Sequence, residues 1–147
     1  MEIAILGLGC FWGPEIKFSK LSGVIKTEVG YCGGHNAKTN YKEVCTGTTN
    51  HAEVVKLDFD PKVISYEEIL EYFFEIHDPT TLNSQGPDFG TQYRSEIFYL
   101  NNQQKTIAEE MLEKMNIKLS GRVVTKISLV KNYCTAEEYH QRYLEKR

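Results

Sequence analysis

Gly9-Cys10-Phe11-Trp12-Gly13 sets a thiol beside two aromatic rings, one of them the only tryptophan of the chain. An apolar run precedes it and Pro14-Glu15 follow, so Cys10 falls where a strand hands over to a helix. Amides at a helix start carry partial positive charge and favour thiolate, the nucleophilic form of cysteine. The ordinary fate of a free cysteine is burial in a core. Here the flanking glycines permit close backbone approach, and two consecutive bulky rings cannot both enter one core face. The expected object is a nucleophilic sulfur with a small apolar cage.

Other side chains suit acid–base work. Glu53 opens an apolar run in Thr49-Asn50-His51-Ala52-Glu53-Val54-Val55. There it is either a solvated strand residue or a carboxyl whose pKa burial raises. Tyr41, and Tyr93 in Gly90-Thr91-Gln92-Tyr93-Arg94-Ser95, are phenol donors on loop-like segments, though tyrosine in this chain is commonly packing material. Asp88 lies in a glycine-bounded turn, Gly86-Pro87-Asp88-Phe89-Gly90, where turn forming is an equal reading.

The four histidines and four cysteines lack the paired spacings of a structural zinc site, so no metal is expected. Gly7-Leu8-Gly9 lacks the third glycine of a dinucleotide fingerprint. A nucleophilic pair of Cys10 with His51, His77 or His140 stays open for a hydrolase or acyl transferase, as does a non-catalytic module that grips a methyl group.

The elements that must position these groups follow from periodicity. Strands are expected at 2–8, 24–31, 53–59, 95–100 and 123–130. A helix with Pro14 at its first position runs to about Gly23, and Gln103 to Leu119 forms the longest helix. Ser65-Tyr-Glu-Glu68 and Thr135-Ala-Glu-Glu138 match capping boxes that open two further helices. Residues 32–50 and 77–93 are long loops, and loops of that length tend to be functional. The order predicts an α/β (α+β) fold: one domain over 1–147, a two-layer sandwich with a mixed, mainly antiparallel sheet, and a ferredoxin-like core carrying long active-site loops.

The 147 residues suffice for one real core, with 41% hydrophobic, 25% charged and net charge −3. That balance gives no electrostatic case for nucleic acid or an anionic membrane surface. No run reaches the roughly 20 apolar residues of a membrane span, and the first residues lack signal-peptide character. A cytoplasmic protein with Cys10, Cys32, Cys45 and Cys134 as free thiols is expected.

Four blocks together resemble the A-type peptide methionine-S-sulfoxide reductases. They are Gly9–Gly13 with Glu15; Gly30-Tyr-Cys-Gly-Gly34, Tyr41-Lys-Glu-Val-Cys-Thr-Gly47 and His51-Ala-Glu53; His77-Asp-Pro79 and Asp88-Phe-Gly-Thr-Gln-Tyr-Arg-Ser95; and Ala136-Glu-Glu-Tyr-His-Gln141. The resemblance spans Ile5 to Leu144 in the family's order. It implies that Cys10 attacks the sulfoxide sulfur, Glu53 donates a proton to the leaving oxygen, and Tyr41 and Tyr93 hydrogen-bond that oxygen. It further implies that Phe11 and Trp12 hold the methyl group, that Asp88 positions the polar end, and that a sulfenic acid forms on Cys10.

No bound cofactor is implied. The substrate is methionine sulfoxide, free or within oxidised proteins, and reducing equivalents come from thioredoxin, glutaredoxin or a small thiol. The chain departs from the family in three places: it stops six residues after Gln141 with no tail of resolving cysteines, it lacks the usual proline before Tyr41, and Asn50 stands where glycine is common. Cys134 and Cys32 are then the internal candidates for resolving Cys10, Cys45 is read as structural, and the protein is expected to act as a monomer.

Overall fold

The structure is a computed structural model and describes residues 1–146. Its framework is β1 (Glu2–Leu8), α1 (Trp12–Ser19), β2 (Val24–Cys32), β3 (Ala52–Phe59), α3 (Tyr66–Glu75) and β6 (Ser95–Tyr99). Between these lie a short helix α2 (Tyr41–Cys45) and the two-residue strands β4 (Ser84–Gln85) and β5 (Asp88–Phe89). After them come α4 (Asn102–Lys118), β7 (Lys126–Leu129), β8 (Cys134–Thr135) and α5 (Tyr143–Lys146).

One sheet runs β7-β6-β1-β3-β2-β8, and only the β6–β7 pair is parallel. Its inner order β6-β1-β3-β2, crossed over by α1 and α3, is the ferredoxin-like core. β3 is central and buried on both faces. Val55, Leu57 and Phe59 face α3 and α4 in the main core, which also takes Ile69, Leu70 and Phe73 from α3 and Met111 from α4. Ala52 and Val54 face the other side with Ile5, Cys32 and Phe98.

The Ser65 capping box forms both of its bonds, with Glu68 N–H to Ser65 Oγ at 3.0 Å and Ser65 N–H to Glu68 Oε1 at 3.1 Å. The Thr135 box does not form. Thr135 pairs with Gly30 in the sheet, and the chain continues as a 3-10 turn, Glu138–His140, whose capping position Glu137 makes no side-chain cap. Helix α1 starts earlier than expected, so Pro14 is its third residue, where an N–H still has no intrahelical partner.

Candidate active site

The site forms where β1 ends. Gly9 has φ +95°, and a Cβ there would lie 2.9 Å from the Gln85 side chain, so the turn after Leu8 accepts only glycine without rearrangement. The turn delivers Cys10, half-buried, to the mouth of α1. Opposite it, Glu53 at the start of β3 sits on the same face as Val55 and Leu57, paired across the sheet with Tyr31. Glu53 is 1% exposed. The Phe11 N–H donates to its Oε1 at 3.2 Å, while Oε2 has no partner among the described residues.

Burial pushes the Glu53 carboxyl up to about 8; the Phe11 N–H pulls it down and the charge of Asp88 pushes it up. At neutral pH Glu53 is mainly a neutral acid, with a free oxygen to carry the proton. Cys10 is also pushed up, to about 11, by burial first. The amide of Trp12 lowers it, and Glu53 and Asp88 raise it further. The helix-start field therefore acts in the expected direction but loses to desolvation. The resting nucleophile is a thiol, not the thiolate its position suggested.

Two phenols complete the polar side. Tyr41 opens α2, which Asn40 caps by accepting from Glu43 N–H at 2.9 Å. Glu137 Oε2 accepts from the Tyr41 N–H at 2.9 Å and Oε1 from the Tyr31 hydroxyl at 2.8 Å, so one carboxylate anchors the start of α2 to the sheet. Burial would raise Glu137, but these bonds outweigh it and hold the carboxyl below its usual range. Tyr93 ends the 3-10 turn Thr91–Tyr93. The Tyr41 hydroxyl lies within hydrogen-bonding reach of Cys45 and Tyr93, and both phenols feel the charge of Glu53. Burial raises both, Tyr93 to about 12, so each remains a neutral donor.

The apolar side is a nest of rings. Phe11 is buried as its floor, 5.7 Å from Tyr31 and 5.2 Å from His140 between centroids. Trp12 is half-buried and stacks on Tyr143 at 3.8 Å and 9°. Its indole N–H donates to His140 Nδ1 at 3.1 Å, and the Tyr41 ring lies 4.7 Å from the same imidazole. Burial lowers the His140 pKa, which keeps Nδ1 an acceptor. Asp88, half-buried on β5, is the remaining charge that reaches Cys10, Glu53 and Tyr93.

Cys10, Phe11, Trp12, Tyr41, Glu53, Asp88 and Tyr93 thus converge. His140, Tyr143 and Glu137 support them; the sequence offered His140 as a partner for Cys10 and Glu137 only as part of a block, and it did not single out Tyr143. His140 Nδ1 is taken by the Trp12 indole and both His77 nitrogens by the Phe73 carbonyl and Ser95 Oγ, which weighs against a Cys–His hydrolase. A cavity of about 920 Å³ lies between α3 and α4 and contains none of these side chains.

The other thiols divide by position. Cys32 ends β2 rather than lying in the loop; it is fully buried on the sheet face opposite Glu53, donates to the Lys131 carbonyl at 3.3 Å, and is pushed up to about 11 by burial. Its assignment as a resolving thiol meets two obstacles there, the wrong face and no exposure. Cys134 pairs with Tyr31 on the site's face and is half-buried. Cys45, expected to be structural, is exposed beside Tyr41.

The family model for peptide methionine sulfoxide reductase matches residues 2–147. The peptide methionine sulfoxide reductase MsrA of Pelagibacter ubique is 81% identical over 147 residues, covering 100% of both chains. The crystal structure of Mxr1 from Saccharomyces cerevisiae in reduced form superposes with a TM-score of 0.93 at 42% identity, covering 99% of this chain and 85% of that one. The structure of Mxr1 in complex with Trx2 matches with a TM-score of 0.67 at 28% identity, covering 97% and 84%. A match of this extent and identity, over a site of this composition, settles the membership: the chain belongs to the peptide methionine sulfoxide reductase family.

Proposed function

We propose that this reductase converts the S-epimer of methionine sulfoxide, protein-bound or free, to methionine through a sulfenic acid on Cys10. Family membership makes it a methionine sulfoxide reductase; the epimer and the residue roles are the reading of the site. The observation that carries it is Glu53, a buried neutral carboxyl tied to the amide next to Cys10 with one oxygen unpartnered.

A sulfoxide oxygen leaves poorly until protonated, and Glu53 supplies that proton while Tyr41 and Tyr93 hold the oxygen. Cys10 sulfur attacks the substrate sulfur and loses its own proton, which restores Glu53. The hydroxyl then passes from the substrate sulfur to Cys10: the substrate S–O bond and the new S–S bond both break, a Cys10 S–O bond forms, and the thioether leaves. Thiol plus sulfoxide gives sulfenic acid plus thioether: Cys10 is oxidised by two electrons, the substrate is reduced by two, and no proton is consumed. With the oxygen held by the phenols and the methyl by Trp12 over Phe11, two substituents of the stereogenic sulfur are fixed, and the approach of Cys10 fixes the face that is attacked. One epimer fits.

An external thiol then reduces Cys10: thioredoxin, glutaredoxin or a small thiol, in a cytoplasmic setting where thiols stay reduced. The Mxr1–Trx2 complex supports the first of these. Of the internal thiols, Cys134 shares the site's face. The test is turnover without reductant: the reduced protein should release one equivalent of methionine and gain one oxygen on Cys10, seen by mass spectrometry. Cys10→Ser should release none. A hydrolase or a methyl-binding module would give neither product.

A further inference from the structure

We propose that Arg94 is a positioning residue that holds the two halves of the oxygen-binding site in register. The inference rests on the proposed roles of Glu53 and Tyr93. These residues stand on different elements: Glu53 on β3, Tyr93 in the turn that enters β6, with β1 between the two strands. Among the described residues no backbone ladder joins β3 to β6. Arg94, which is 7% exposed, bridges them with its side chain.

Its guanidinium makes three bonds in three directions. Nε donates to Glu96 Oε1 at 2.6 Å, Nη1 to the Thr91 carbonyl at 2.8 Å, and Nη2 to the Asn50 carbonyl at 3.0 Å. Thr91 opens the turn that ends in Tyr93. Asn50 has φ +57°, the left-handed region, and stands three residues before Glu53. The φ of Asn50 is one that asparagine tolerates. Arg94 therefore fixes both approaches to the site at once.

The surroundings are built for that crossing. Glu96 balances the charge and is itself held, its Oε2 accepting from Ser128 Oγ on β7 at 2.6 Å. The register partner of Glu96 on the intervening strand is Gly7, so no side chain obstructs the path. Gly33, with φ +84°, closes over the guanidinium; a Cβ there would lie 3.1 Å from Nη2 and 2.7 Å from the Phe98 ring. A buried ion pair is weak evidence for stability, since a well-packed apolar pair replaces it at little cost. An apolar pair cannot replace the two carbonyl bonds. Those bonds align Glu53 Oε2 and the Tyr93 hydroxyl on one substrate oxygen, where a displacement of about 1 Å costs on the order of a hundredfold in rate.

The test compares Arg94→Lys and the double variant Arg94→Met/Glu96→Met with wild type. Lysine keeps the charge opposite Glu96, but one ammonium cannot serve both carbonyls. The double variant keeps an apolar filling of the core. Thermal melts, single-turnover methionine release, steady-state KM and the pH midpoint of the alkaline fall in rate are measured on each. Both variants should melt cooperatively yet release methionine roughly 10- to 100-fold more slowly, with KM changed less than about threefold. The alkaline midpoint should move down from about 8, as a loosened Glu53 gains solvent.

Arg94 is overturned as a positioning residue if either folded variant releases methionine within roughly twofold of wild type at an unchanged midpoint. Loss of the cooperative melt in both variants also overturns it, placing Arg94 in the folding core. A wild-type protein that forms no sulfenic acid on Cys10 would instead sink the underlying reading of the site.

Discussion

Trp12 and His140 are 128 residues apart in sequence and joined by a 3.1 Å hydrogen bond from the indole N–H to Nδ1. The bond fixes the ring proposed to form the methyl cage, and Tyr143 stacks on that ring. His140→Asn retains an acceptor near Nδ1 and should leave KM close to wild type. His140→Leu leaves the indole unpaired and should raise KM by roughly fivefold, the worth of one hydrogen bond. Equal KM values for the two variants would separate Trp12 from His140.

In the proposed reaction Glu53 sets the pH dependence. Its pKa is raised to about 8, so the acid is present below that value and lost above it. The rate of methionine release should fall as pH rises through about 8. Glu53→Gln should abolish that fall and slow release by roughly 10- to 100-fold, less than loss of Cys10, because an amide still donates a hydrogen bond. Stopped-flow release followed from mildly acidic to strongly alkaline pH checks both points.

Cys10 should alkylate slowly in the free enzyme. Its thiol is raised to about 11, so iodoacetamide reactivity should climb with pH well beyond the ordinary thiol range. Part of that elevation comes from the Glu53 carboxylate. Glu53→Gln should therefore move the alkylation midpoint down. A midpoint below the ordinary thiol range in wild type would mean that the amide of Trp12 outweighs burial.

These groups were unequally legible in the sequence. The strand at 53–59 was readable, but Val54 on the rear face blurred the alternation that puts Glu53 with Val55, Leu57 and Phe59 on the core side. A central strand buried on both faces gives no parity signal. The Ser65 box formed as its residues suggest, while the same pattern at Thr135 lost to pairing with Gly30 and to the reach of Glu137 toward Tyr31 and Tyr41. Tertiary partners decided that case. The Cys10 thiol is another, since burial is invisible in a motif. Arg94, just before β6, and Glu96 within it are opposite charges two residues apart in extended chain and carried a legible pairing signal; the carbonyl partners of Arg94 did not.

The buried position of Cys32 predicts that it is dispensable. Cys32→Ser should leave turnover with thioredoxin or dithiothreitol within about twofold, since its sulfur faces away from Cys10. Mass spectrometry after brief alkylation of the native protein should find Cys45 modified first and Cys32 last, in the order of their exposure. A Cys10–Cys32 disulfide in the oxidised enzyme would require β2 to open and would contradict this assignment.

The most direct measurement is a single turnover of racemic methionine sulfoxide by the reduced enzyme, with no reductant present, resolved by chiral chromatography and peptide mass spectrometry. The S-epimer should disappear by one equivalent, one equivalent of methionine should form, and one oxygen should reside on Cys10. Consumption of both epimers, or oxygen found on any other cysteine, would contradict the roles of Trp12, Glu53 and Cys10 in the proposed reaction.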